Sequence, residues 1–344
     1  MNAEFSPTRL LSRLIAREDL SRTEMLQAMR AIMRGELTPV QTAGLMVALR
    51  SKGETVIEVA AAAEVMRELS ARVDGGSLPH LVDTCGTGGD GLGTFNISTT
   101  AAFVAAAGGA RVAKHGGRSV SSRTGSADVL EALGADLSLA TPERVADSLR
   151  LLGVGFMFAP QHHAAMRHAA PVRKELGVRT LFNILGPLTN PAGAPNQVLG
   201  VYDETLTGLM ARVLQSLGSQ HVLVVHGLDG LDELTVSGPS RIAELQHGVV
   251  REYMITPQEL GIAVSPLSSL RVDNAEDSAA MIRAVLGGAT GPARDIVLLN
   301  AGAALYAADI ATTLPEGVTR AASAIDSGEA LRRLDAFVQR FSPA

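Results

Sequence analysis

Between Leu81 and Ser122 a short apolar run twice breaks off into a loop of glycines, hydroxyls and cations, and no other stretch limits the fold as much. The first run, Leu81 to Cys85, ends at Gly86, Gly88, Gly89, Gly91 and Gly93, with Asp90 among them. The chain then enters Ser98-Thr99-Thr100 and an alanine-rich segment of helical character. The second run, Ala110 to Ala113, ends in Lys114-His115-Gly116-Gly117-Arg118-Ser119. Glycines let a ligand approach the backbone closely, and the bare N–H groups at a helix start favour an anion. Lys114, Arg118 and the hydroxyls of Ser119, Ser121 and Ser122 add charge and donors. Two such loops, each leaving a strand, suit a ligand with more than one phosphate.

Gly86, Gly88 and Gly91 also satisfy the G-x-G-x-x-G spacing of a dinucleotide site. That site needs an acidic residue about 20 positions on, at the end of the next strand, to hold a ribose hydroxyl. Here the next strand ends in Lys114 and His115. The chain from Gly91 to Ser98 is also long for a tight turn into a helix, so nicotinamide and flavin binding are disfavoured. No G-x-x-x-x-G-K-[ST] occurs either.

The first seventy residues read as helices. Ser21–Glu24, Thr38–Gln41 and Thr55–Glu58 each fit a capping box, and Pro39 suits a first helical position. Met25, Met29, Ile32 and Met33 fall on one face, a stripe that reads as core or subunit interface, and Gly35 and Gly53 read as stops. Asp74 to Pro79 reads as a linker. Beyond residue 80, β runs at 81–85, 110–113, 154–158, 197–202 and 221–226 alternate with helical segments. The expected fold class is α/β, a mainly parallel sheet flanked by helices with a smaller all-helical N-terminal domain. The expected domains are 1–75 and 80–344.

The net charge of -5 and an aromatic content of 3% without tryptophan leave neither a basic surface nor stacking platforms for nucleic acid. No apolar run reaches the roughly 18 residues of a membrane span, and the N-terminus has no signal-like apolar core. One cysteine, Cys85, excludes an internal disulfide framework, and a cytoplasmic protein is expected. His162, His163 and His168 supply no i,i+3 or i,i+4 pair for zinc, and packing or ligand positioning is their expected role.

The blocks GTGGD (86–90), NIST (96–99), KHG-RS (114–119), SSRTGSADVLEALG (121–134), HHAAMRHAAPVRKELGVRT (162–180) and FNILGPLTNP (182–191) stand in the order found in the anthranilate phosphoribosyltransferase family, which this chain resembles over nearly its whole length. The resemblance implies transfer of the 5-phosphoribosyl group of phosphoribosyl pyrophosphate (PRPP) to the amino group of anthranilate, in tryptophan biosynthesis. It also implies Mg²⁺, a homodimer formed through the helical domain, and a later segment near 170–190 completing that domain. It places Gly86, Gly89, Asp90, Thr94, Asn96, Ile97, Ser98, Thr99, Lys114, Arg118, Ser122 and Ser126 around PRPP. It assigns the metal to Ser98, Asp232 and Glu233, and anthranilate to Gly86 and Arg173. By themselves, two adjacent acids in a loop are equally well read as solvated surface, and Arg173 is one of several arginines alongside Arg167 and Arg179. In one departure, the family's K-H-G-N-R-S has Gly117 in place of its asparagine, which is expected to hydrogen-bond anthranilate. A phosphoribosyltransferase with another aromatic acceptor, or a nucleoside phosphorylase of the same fold, stays open as an alternative.

Overall fold

The computed structural model describes residues 5–74, 78–118 and 123–343. Ser119, Ser121, Ser122 and the centre of the expected linker lie outside the described residues. Four helices open the chain: α1 (Pro7–Ile15), α2 (Arg22–Arg34), α3 (Pro39–Lys52) and α4 (Val56–Glu68). All three expected capping boxes form. Ser21, Thr38 and Thr55 accept from the N–H three residues on, and Glu24, Gln41 and Glu58 accept from the N-cap N–H in return. Gly35 ends α2 in the left-handed region, at φ 71°. The stripe of Met25, Met29, Ile32 and Met33 is core, nearly inaccessible to solvent.

The second part of the chain alternates strands and helices. In order these are β1 (Leu81–Gly86), α5 (Ile97–Ala107), β2 (Arg111–Gly116), α6 (Ser126–Ala132), α7 (Pro142–Leu152) and β3 (Val154–Phe158). Then come α8 (Ala159–His162), α9 (Ala170–Leu176), α10 (Phe182–Leu185), β4 (Asn196–Gly200), α11 (Leu206–Ser216) and β5 (His221–Gly227). A hairpin, β6 (Ser240–Gln246) and β7 (Val249–Ile255), precedes α12 (Ala275–Leu286), α13 (Pro292–Ala307), α14 (Leu314–Asp326) and α15 (Glu329–Arg340).

The strands form one sheet in the order β3-β2-β1-β4-β5-β6-β7, with β1 to β5 parallel and β6 and β7 antiparallel. The expected β runs fall on β1 to β5. The hairpin went unread in the sequence because its turn is His247-Gly248 rather than Asn-Gly. Both residues nonetheless take positive φ, 51° and 75°, as a two-residue hairpin turn requires. Strand order runs one way from β1 and the other way from β4, so their carboxyl ends flank a crevice, with Gly86 paired to Gly200.

Alternate residues of each strand feed opposite cores. Leu223 and Val225 face the core built with α5, α13, α14 and α15, whereas Val222 and Val224 face α11 and the helical bundle. The segment beyond β3 returns to the bundle, α9 packing on α3 and α10 on α4. Among the described residues no helix is long and apolar enough to cross a membrane.

At the start of β5, His221 is buried between Glu244 at 3.3 Å and Asp309 at 2.9 Å. Burial works against its charge, but the two carboxylates outweigh burial and raise its pKa above the usual imidazole value of 6.5. A pKa raised by folding contributes stability that is complete below the unfolded value and lost as pH rises through the folded one. The melting temperature is therefore expected to fall as pH rises above about 6.5, and this slope should flatten in His221→Gln, as thermal melts on the alkaline side would show.

Candidate active site

The crevice between β1 and β4 is closed from above by the loop after β5. A Cβ on residue 200 would lie 1.6 Å from the carbonyl oxygen of Asp232, and one on residue 86 would lie 2.6 Å from its Oδ2. Only glycines at both strand ends let the acidic loop cross so closely. Asp232 Oδ2 then accepts from the Gly88 N–H at 2.8 Å, tying the acidic loop to the glycine loop. Thr87 completes the tie, its N–H donating to the Gly200 carbonyl and its hydroxyl accepting from the Tyr202 N–H. Asp90 folds its carboxylate onto the Leu92 N–H at 3.2 Å.

On the other side of the glycine loop, Thr94 bridges to Arg271, and the chain enters α5 at Ile97. Asn96 occupies the N-cap without capping. Its Oδ1 accepts from the Thr124 and Ser278 hydroxyls at 2.9 and 2.8 Å, and its Nδ2 donates to the Thr124 carbonyl. The Ile97 N–H donates to the Phe95 carbonyl at 2.8 Å. With the cap side chain held elsewhere, the amides of Ser98 and Thr99 in the first turn of α5 are the ones open to an anion. Thr99 and Ser126 share a hydrogen bond of 3.0 Å, which joins α5 to the start of α6.

Lys114, near the end of β2, is almost fully buried, and its ammonium donates to the Thr84 carbonyl and, at 3.1 Å, to Ser98 Oγ. Burial lowers its pKa, and the fields of Asp83, Glu233 and Asp232 oppose that shift. The acids show the mirror image. Burial first, then Asp90, raises Asp232; burial first, then Asp232, raises Glu233, with Lys114 and the Ser98 hydroxyl pulling it down. Both are pushed well above the ordinary carboxylate range.

Two such carboxylates beside a hydroxyl form a site whose repulsion a divalent cation would relieve. Among the described residues no three His, Cys, Asp or Glu side chains are placed to enclose an ion. Mg²⁺ does not require that, because it keeps waters and shares one or two carboxylates with substrate phosphates. Ser98, Asp232 and Glu233 thus fit a magnesium site.

The second loop brings different groups to the mouth. Gly117 is not in a positive-φ conformation, and a Cβ there would meet nothing nearer than Ala159 Cβ at 3.9 Å. Arg118 is turned onto α6, paired with Asp128 and Glu131, and would have to leave them to reach a phosphate. Ser122 lies outside the described residues. Arg173, on α9, is partly buried with its guanidinium 5.6 Å from the Phe182 ring centroid, and burial lowers its pKa.

The three histidines of the 162–168 stretch diverge. His162 bonds the Ala71 carbonyl, His168 packs on Gly35, and His163 Nε2 meets His115 Nε2 at 3.2 Å. Burial holds His115 near 3 and His163 near 4, helped in each case by neighbouring imidazoles, so the pair is neutral at physiological pH. The pairing of His163 with His115, and the part played by Thr124 and Ser278 behind Asn96, were not legible in the sequence. Their partners lie far along the chain, and no local spacing marks them.

Gly200→Ala places a methyl against a backbone carbonyl that cannot rotate away. It is expected to cost about 1–3 kcal/mol of stability in denaturant unfolding and to lower turnover by displacing Asp232.

Comparison with known proteins matches residues 8–70 to the model of the helical bundle domain of a glycosyl transferase family and 78–331 to its a/b domain. The chain is 60% identical to the anthranilate phosphoribosyltransferase of Chromobacterium violaceum and 61% to that of Thiobacillus denitrificans, over 97% of each chain. The crystal structure of the Thermus thermophilus enzyme superposes with a TM-score of 0.91 at 49% identity, covering 96% of this chain and 99% of that one. The Saccharomyces cerevisiae enzyme in complex with PRPP and Mg follows with a TM-score of 0.89 at 28% identity, covering 98% of both chains. On these matches the chain belongs to the anthranilate phosphoribosyltransferase family.

Proposed function

We propose that this chain transfers the 5-phosphoribosyl group of PRPP to the amino nitrogen of anthranilate, releasing pyrophosphate, in the synthesis of tryptophan. The observation that carries the reading is the meeting, at one crevice, of an uncapped helix start, a buried lysine and a pair of mutually repelling acids. A sugar with a 5-phosphate and a 1-pyrophosphate needs two anion sites and a cation, and these groups supply them. Related yeast structures were determined with PRPP and Mg and with 4-fluoroanthranilate.

Gly86, Gly89 and Asp90 in the glycine loop, with Thr94, line one side of PRPP. Asn96, Ile97, Ser98 and Thr99 present the α5 start, and Lys114, Arg118, Ser122 and Ser126 complete the second loop. Mg²⁺ held by Asp232, Glu233 and the Ser98 hydroxyl would offset the negative charge of the departing pyrophosphate. The transition state resembles an oxocarbenium ion, as in glycoside cleavage, so rate comes from holding the leaving anion and aligning the amine. The aniline nitrogen is neutral at pH 7 and needs no strong base. Arg173 holds the anthranilate carboxylate, a guanidinium being able to grip both oxygens. Gly86 contributes to the acceptor site, and Gly117 leaves open the space an asparagine amide would fill.

The molecule acts in the cytoplasm as a homodimer. Ile15, Val40, Val47 and Ile57 are exposed on α1, α3 and α4, an apolar display on the bundle that a second copy would cover. Sedimentation should give twice the 35.8 kDa chain mass, and Val40→Glu with Ile57→Glu should give the monomer.

Turnover is read as loss of anthranilate fluorescence with PRPP and Mg²⁺, and EDTA should abolish it. Asp232→Asn with Glu233→Gln should reduce the rate by about 100-fold or more and raise the Mg²⁺ requirement. No anthranilate loss in wild type, with phosphate-dependent nucleoside cleavage that survives in that variant, would instead favour a phosphorylase, which uses free phosphate without the metal pair. Gly117→Asn should lower the KM for anthranilate by about 2- to 10-fold, the worth of one neutral hydrogen bond, with the KM for PRPP unchanged. An unaltered anthranilate KM would point to a different acceptor.

A further inference from the structure

Arg179 lies in the turn between α9 and α10, on the segment that carries Arg173, and its side chain spans to the glycine loop. Its Nη2 donates to the Gly89 carbonyl, while its guanidinium carbon lies 3.8 Å from the centroid of the Tyr202 ring. Tyr202 follows β4, and its own N–H donates to Thr87 Oγ1 at 3.1 Å. Gly88 and Gly89 both have positive φ, 64° and 84°, so this part of the loop adopts a conformation that other residues resist. It is therefore held by contacts from outside. Asp232 takes the Gly88 N–H, and Arg179 takes the Gly89 carbonyl.

A planar guanidinium stacked on a ring and donating at its edge is oriented at two points, which a lysine cannot reproduce. The contact adds a direct tie between two parts of the site. One is the α9–α10 segment, packed on the helical bundle; the other is the glycine loop at the end of β1.

We infer that Arg179 is a positioning residue that latches the acceptor-side segment to the donor loop, so that filling either substrate site raises affinity at the other. This rests on the assignment of PRPP to the glycine loop and anthranilate to the Arg173 side. Arg179 touches neither reacting atom. A linkage of this kind must be reciprocal, because coupling between two binding sites is one free energy.

The test compares the wild-type dimer with Arg179→Met, Arg179→Lys and Tyr202→Leu. Hydrogen exchange of the amides of residues 86–93, followed by mass spectrometry without substrates, should speed up by about tenfold in Arg179→Met and Tyr202→Leu, and less in Arg179→Lys. In EDTA, which stops turnover, calorimetric PRPP affinity should rise on saturation with anthranilate by about fivefold in wild type and be unchanged by it in Arg179→Met. Wild-type exchange rates in the loop together with intact coupling in both stack-breaking variants would overturn the latch. A merely structural role would lower the melting temperature of these variants and leave the coupling ratio intact, which also overturns it. Absence of wild-type turnover with PRPP and anthranilate would sink the functional reading, whereas the exchange measurement would still decide the latch. If Arg179→Met does not fold, Tyr202→Leu and Arg179→Lys carry the same two readouts.

Discussion

The site depends on one close approach, the Asp232 backbone passing over the paired glycines at the ends of β1 and β4. Parallel strands that diverge at a change of order leave a crevice, and a crevice becomes a site only when something crosses it. Here the crossing loop can lie on the strand ends because neither carries a Cβ. The acidic pair is thereby brought to the glycine loop, and the Gly88 amide is turned toward a carboxylate.

The charges gathered there are costly to bury and are left incompletely compensated. Lys114 balances part of the field of Asp83, Asp232 and Glu233, but the two acids after β5 remain raised by burial and by their neighbours. Such groups do not serve stability, since isolated buried charges work against folding. A cation and a polyphosphate together would neutralise both signs. The silent N-cap of α5 belongs to the same economy, because Asn96 is tied to Thr124 and Ser278 instead of its own helix and leaves the amides for a ligand.

The helical bundle contributes through packing. One face of the sheet, with Leu199, Val222 and Val224, shares a core with α11 and the bundle methionines, so bundle and sheet are not independent bodies. The α9–α10 segment, seated on the bundle, carries Arg173 and brings Arg179 to the glycine loop. The buried His115–His163 contact ties the end of β2 to the segment after β3 without adding charge. The segment assigned to the acceptor therefore lies where the two packing units meet.

Local chemistry made much of this readable in advance. The capping boxes at Ser21, Thr38 and Thr55 form because their partners lie three residues away. The first five strands were legible because each is a compact apolar run, and the phosphate loops because glycine, hydroxyl and cation are adjacent in the chain. The β6–β7 hairpin escaped because His247-Gly248 is an uncommon turn pair and β7 is an exposed edge strand. What the sequence by itself determined was the set of elements and the chemical types in the loops. Only the tertiary structure decided that Asp232 crosses Gly86 and Gly200, that Asn96 binds Ser278, that His115 meets His163 and that Arg179 reaches Gly89. Those contacts join residues far apart in the chain, where spacing carries no signal and the geometry of the folded sheet supplies all of it.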